Sequence, residues 1–257
     1  MNSLPRCFIP AFDWVEGGLI AIPPEESHHL ARVLRVQPGD RVTVFDGAGR
    51  EAEARVEASG RAGLSVRIGA SVLHARPPAH VILFQAILKG ERMDDVVQKA
   101  VELGAAELVP LAADHSVVRV SASNTAHKLE RWRAIALGAA RQSGNPFFMS
   151  VREPVPAAAS AAEAGGLDLA LYGSLEPGTR PLWDCLAGIR RRSGVRVGLW
   201  IGPEGDWSPA EYAALGRSGA TPVTLGPLVL RAETAAYYGL SVIGAGFTAG
   251  SATPGTP

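Results

Sequence analysis

Two stretches near the C-terminal end decide the reading of this chain: Trp200-Ile201-Gly202-Pro203-Glu204-Gly205, and Leu225-Gly226-Pro227-Leu228-Val229-Leu230-Arg231-Ala232-Glu233-Thr234. In each, an apolar strand runs into a Gly-Pro turn and the chain then enters a helix. Glycine has no side chain to keep a ligand away, so such turns expose bare N–H and C=O groups. Two of them on neighbouring strands predict a cleft walled by main chain. That arrangement suits an adenosine-type cofactor better than a metal or a catalytic triad.

Outward from these turns the pattern is that of an α/β layer. Residues 195–201 and 221–225 are apolar strands, as are 167–172, 81–88 and 108–111. Met93, Val96, Val97, Ala100, Val101 and Leu103 recur at helical spacing before Gly104, and residues 128–142 predict a second amphipathic helix. Strands apolar on both faces and alternating with helices imply a mostly parallel sheet with helices on both faces. Ser208-Pro209-Ala210-Glu211 is a capping box with proline in the first helical position, and Gly219 ends that helix. Residues 202–207 are therefore a strand-to-helix loop at the carboxyl end of a parallel strand, where open α/β sheets bind ligands.

The first 76 residues read differently. Residues 41–45 alternate, Asp46-Gly47 signals a hairpin, residues 51–57 alternate again and 63–68 form a third strand, which together predict a small barrel. One helical segment, 26–35, sits among them. Arg76-Pro77-Pro78 is a stiff linker. The expected domains are thus 1–76, 77–249 and a disordered tail, 250–257, made of Gly, Ser, Thr, Pro and Ala with nothing to bury.

With 25 basic and 25 acidic residues among 257, the net charge is zero, and total charge implies no nucleic-acid partner. Cys7 and Cys185 match no metal or redox spacing, which predicts a reduced, cytoplasmic protein without a metal. No secretory leader or membrane-spanning tract is evident. A phosphate loop, a nucleophile elbow, zinc spacing and a dinucleotide fingerprint after the first α/β strand are all missing.

Glu204 is a carboxylate in a turn of small, rigid residues; it either accepts hydrogen bonds from a ligand or caps a neighbouring helix. Arg231 stands at a helix start, where the dipole gives a cation nothing, so an anionic or polar partner is expected. A buried pair with Glu204 or Glu233 would supply one. On the 26–35 helix, His28 or His29, Arg32 and Arg35 share one face, while Leu30, Val33 and Leu34 are expected to face the barrel. A cationic stripe of this kind suits an RNA backbone, although a solvated face would read the same.

Taken in order, the runs His29-Leu30-Ala31-Arg32-Val33-Leu34-Arg35, Gly39-Asp40, Phe45-Asp46-Gly47, Lys89-Gly90-Glu91-Arg92-Met93-Asp94, Gln98-Lys99-Ala100-Val101-Glu102-Leu103-Gly104, Arg131-Trp132 and Gln142-Ser143, followed by the two C-terminal corners, resemble the RsmE family. These are the 16S ribosomal RNA uridine-N3 methyltransferases of the SPOUT class. The resemblance covers all but the tail. It implies a PUA-like N-terminal barrel, a C-terminal α/β domain with a trefoil knot, a homodimer, and 16S rRNA of the 30S subunit as partner. It implies S-adenosylmethionine bound by Leu171, Tyr172 and Gly173, by Ile201, Gly202, Pro203 and Gly205, and by Leu225, Gly226, Val229 and Leu230. Arg231 and Glu204 become the candidate catalytic residues, and His29, Arg32, Arg35, Lys89 and Gln142 the candidate RNA contacts. This chain departs from the family pattern at Arg141, Asn145 and Leu228, and at Gly205-Asp206, where paired glycines are usual. Those departures keep two alternatives open: a SPOUT enzyme with another RNA target, and a catalytically weakened RNA-binding paralogue.

Overall fold

A computed structural model describes residues 4–10, 12–60, 63–117 and 122–248. The expected tail, 250–257, lies outside the described residues. The chain divides into two compact units, Met1–Arg76 with Leu137–Phe148, and Pro77–Ala136 with Met149–Pro257.

The first unit contains β1 (Arg6–Phe8), β2 (Leu19–Ala21), α1 (Pro24–His28), β3 (Arg41–Phe45), β4 (Arg50–Gly60) and β5 (Gly63–Leu73). The strands form one sheet in the order β1-β3-β4-β5-β2, antiparallel except for the β1/β3 pair. Strands β1 and β2 are three residues each, too short to show a period in the sequence. Register shifts between Ala52 and Ala54 and between Val56 and Ala58 bend β4 against β5. Val42, Val44, Ala54, Val56, Val66 and Ile68 alternate inward and pack with Leu30.

The expected 26–35 helix is corrected. Helix α1 stops at His28 and a π turn covers His29–Val33. Val33 and Leu34 are 61% and 44% exposed, so neither faces the sheet. Arg35 leaves the helical region altogether, at φ 56°. The inward face is set by polar anchors instead. The buried Glu26 carboxylate accepts the Phe8 N–H at 3.0 Å and pairs with Arg141. Ser27 Oγ donates to the Ile22 carbonyl and accepts the Leu64 N–H. These anchors fix the segment early, and the wider π turn carries Val33 and Leu34 outward. The Cys7 thiol, wholly buried beside Glu26, has its pKa pushed up by desolvation first and by that carboxylate second.

The second unit contains β6 (Ala79–Ala86), α2 (Glu91–Glu102), β7 (Glu107–Ala112), α3 (Ala122–Ser143), β8 (Ser150–Val151), β9 (Val155–Pro156), α4 (Ala157–Ser160), β10 (Leu169–Gly173), β11 (Arg180–Pro181), α5 (Leu182–Cys185), β12 (Val195–Ile201), α6 (Pro209–Arg217), β13 (Thr221–Thr224) and α7 (Ala232–Thr248). The C-terminal turns of α3 belong to the first unit. The sheet order is β11-β13-β10-β12-β6-β7-β8, with β9 also on β7, and every pair is parallel.

Side chains of β12 alternate between two helical layers. Gly239 of α7 lies so near Leu199 that a Cβ there would sit 2.6 Å from Leu199 Cδ2. Trp200, the next residue, points to the other side, stacks on Phe84 at 3.9 Å and joins Ala157, Ala161 and Leu215. Its indole N–H donates to Ser160 Oγ at 2.9 Å. Among the described residues no helix is long and apolar enough to cross a membrane.

Candidate functional site

Three strand ends of the second unit open onto one cleft. Gly173, Ser174 and Leu175 line it after β10; Ile201, Gly202, Pro203, Glu204 and Asp206 after β12; Thr224, Leu225 and Gly226 after β13. Leu228, Val229, Leu230, Ala232 and Ala235 complete the wall. The cleft encloses about 660 Å³ with its open mouth included. The two Gly-Pro corners do share a cleft, but the expectation that their strands are neighbours is corrected: β10 pairs with both β12 and β13 and lies between them. Consecutive strands in a parallel sheet are joined by crossovers, so order along the chain does not fix order across the sheet.

The first corner is held from several sides. Trp207 is buried, its indole N–H donates to the Gly173 carbonyl at 3.0 Å, and its ring packs 3.0 Å from where a Gly202 Cβ would be. The capping box forms as read, with Ser208 Oγ accepting the Glu211 N–H and Glu211 accepting the Ser208 N–H. Ser208 Oγ also donates to Asp114 at 2.6 Å. His115 Nδ1 lies 3.0 Å from the carbonyls of both Gly205 and Asp206, so that nitrogen carries the proton. Tyr212 OH lies 2.9 Å from both Asp206 carboxylate oxygens and accepts the Leu175 N–H at 3.4 Å. Burial is the largest influence on Tyr212 and pushes its pKa up.

The second corner has little beneath it. Gly226 has φ 129°, a left-handed value that glycine tolerates. Thr224 Oγ1 accepts its N–H and donates to its carbonyl. Leu228 and Val229 are 76% and 77% exposed.

Of the residues expected to hold the cofactor, Gly173, Ile201, Gly202, Pro203, Leu225, Gly226, Val229 and Leu230 line the cleft. Leu171 and Tyr172 are buried in the sheet just before it. Gly205 is turned toward His115, where a Cβ would lie 2.9 Å from that residue's Cβ. Glu204 lines the cleft, while Arg231 is exposed. The pair expected between Arg231 and Glu204 or Glu233 is not formed: Arg92, at the start of α2, takes Glu204 at 2.6 Å. Arg32, Arg35, Lys89 and Gln142 are exposed and His29 is half-buried. Burial, the largest influence, and Arg141 lower the His29 pKa.

Sequence reasoning missed Arg92, Asp114, His115, Trp207 and Tyr212. Arg92 stands 112 residues from Glu204, and no local pattern links them.

A family model described as an RNA methyltransferase domain matches residues 75–244, and one described as an RNA methyltransferase PUA domain matches 22–69. The ribosomal RNA small subunit methyltransferase E of Mycobacterium bovis is 35% identical over 243 residues, covering 89% of this chain and 87% of the relative. A methyltransferase from Legionella pneumophila, solved with bound S-adenosylmethionine, aligns with TM-score 0.84 and 33% identity over 95% of this chain and 98% of its own. A ribosomal RNA small subunit methyltransferase E from Neisseria gonorrhoeae, solved bound to the same cofactor, aligns with TM-score 0.82 and 27% identity over 93% of this chain and 96% of its own.

Proposed function

We propose, given that this chain belongs to the ribosomal RNA small subunit methyltransferase E family, that it moves a methyl group from S-adenosylmethionine to N3 of a uridine in 16S rRNA. The observation that carries the cofactor assignment is the lining of the cleft. It is main chain and mostly apolar side chain, with the hydroxyls of Ser174 and Thr224, carboxylates at Glu204 and Asp206 and, among the described residues, no lysine or arginine. A phosphate-bearing nucleotide would meet a wall with two carboxylates, whose one adjoining arginine, Arg92, is taken up by Glu204, whereas an adenosine linked to a positively charged amino acid meets backbone, apolar walls and negative charge.

When bound, the cofactor supplies a methyl group activated by its sulfonium charge. The uracil imide must lose its N3 proton, which passes to solvent at the open mouth of the cleft, and the negative charge that spreads to its oxygens needs a stabilising donor. Arg231 serves this role: its guanidinium is exposed, has no ion pair among the described residues, and begins the helix whose Ala232 and Ala235 line the cleft. Glu204, tied to Arg92, is better placed to orient the base than to take the proton. His29, Arg32, Arg35, Lys89 and Gln142 hold the RNA, and the target base is unpaired or extruded so that its pairing edge faces the methyl group.

The finer points belong to the same proposal. The chain threads as a trefoil knot, a reading supported by an earlier strand, β10, lying between two later ones. It acts as a homodimer in the cytoplasm on the 30S subunit. The domains run 1–76 and 77–249, with the stretch Leu137–Phe148 of the second belonging to the first compact unit.

The test is mass spectrometry of 16S rRNA after incubation with purified protein and S-adenosylmethionine. A single N3-methyluridine is expected. A ribose methyl, or a methyl on transfer RNA alone, overturns the assignment.

A further inference from the structure

Among the described residues the cleft has two ionisable side chains in its lining, and they are not equivalent. The Glu204 carboxylate is answered by the Arg92 guanidinium at 2.6 Å. Among the described residues, the Asp206 carboxylate is answered only by a neutral phenol, Tyr212 OH, 2.9 Å from each oxygen. Asp206 therefore leaves a net negative charge in the cleft wall.

Its backbone is also unusual. Asp206 has φ 63°, and Arg35 is the only other non-glycine residue with positive φ among those described. An L-residue in that region costs about 1 kcal/mol relative to glycine, with aspartate and asparagine the most tolerant. The turn itself would be better served by glycine. The carboxylate is kept there against backbone preference, in a wall whose other carboxylate, Glu204, is already neutralised by Arg92.

We infer that Asp206 is a cofactor-binding residue of this chain, whose uncompensated carboxylate recognises the positive charge of the methyl donor. This rests on the S-adenosylmethionine reading above. It adds an electrostatic contact to a site otherwise built from backbone and shape, and it gives the cleft a means of telling a charged donor from neutral adenosine derivatives.

The experiment is calorimetric titration of the full chain and of two variants, Asp206→Asn and Asp206→Gly, with S-adenosylmethionine and with neutral methylthioadenosine. Both variants should bind S-adenosylmethionine about tenfold more weakly and methylthioadenosine as the parent does. Raising ionic strength should weaken the parent's grip on S-adenosylmethionine and leave that of the variants nearly unchanged. Asp206→Gly should also melt no lower than the parent, which separates the charge from the turn. Equal weakening toward methylthioadenosine would assign the carboxylate to a ribose hydroxyl and overturn the inference, as would unchanged S-adenosylmethionine binding in both variants. A parent protein that binds no S-adenosylmethionine would instead defeat the cofactor reading itself.

Discussion

The two Gly-Pro corners read alike in the sequence but are supported differently. The corner after β12 rests on a buried indole, a capping box, a histidine between two carbonyls and an arginine on its carboxylate. The corner after β13 has a threonine hydroxyl and a glycine in a left-handed conformation, and then Leu228 and Val229 project into solvent. The contrast teaches that a ligand cleft can be half scaffold and half rim. Substitutions of the bracing side chains should show up as lost stability, and those in the rim as lost function with stability intact.

The sharpest test of the braced half is Trp207→Ala. Deleting a buried tryptophan that also bonds the end of β10 should destabilise by about 3–5 kcal/mol in urea unfolding. A loss under about 1 kcal/mol would mean the brace lies elsewhere. For the unbraced half, Arg231→Ala should slow methyl transfer about 100-fold while leaving Tm unchanged, because the side chain is exposed and has no ion pair among the described residues. A matching fall in Tm would erase the distinction between the corners.

Ser208→Ala removes the cap and the Asp114 bond together, and should cost about 1–2 kcal/mol in the same unfolding assay. Helix α7, which follows the second corner, carries the smallest expected effect. Tyr237 has its pKa raised to about 12, chiefly by burial and further by Asp95, Glu233 and Glu102. Its folded value lies above the ordinary 10.0, so its contribution is intact below pH 10 and is lost as pH climbs toward 12. Tyr237→Phe should flatten the fall of the urea midpoint over that alkaline range; an identical slope would show that this phenol does not control it.

What the sequence made legible is what short-range chemistry decides. Ser208 and Glu211 close their box within three residues, Gly104 and Gly219 take the positive φ that ends a helix, and residues 195–201 form a strand with the expected limits. The two corners and most of the cofactor-binding candidates follow from the same local logic. Hidden from it were contacts between distant residues. Arg92 meets Glu204 across 112 positions and His115 meets Gly205 across 90. Both depend on the sheet order, which periodicity does not encode. The 26–35 segment misled because helical spacing assumed a regular turn. The buried Glu26 and Ser27, not Val33 and Leu34, settled which side faced in.

The place of β10 has a consequence for how the molecule comes to exist. This strand leaves the ribosome before both of its sheet neighbours, β12 and β13, and the cleft needs the ends of all three. Until synthesis has passed Ala235 the pocket lacks part of its wall. The methyl donor can therefore assist only the last stage of folding, as a late clamp on a nearly finished chain rather than an early template.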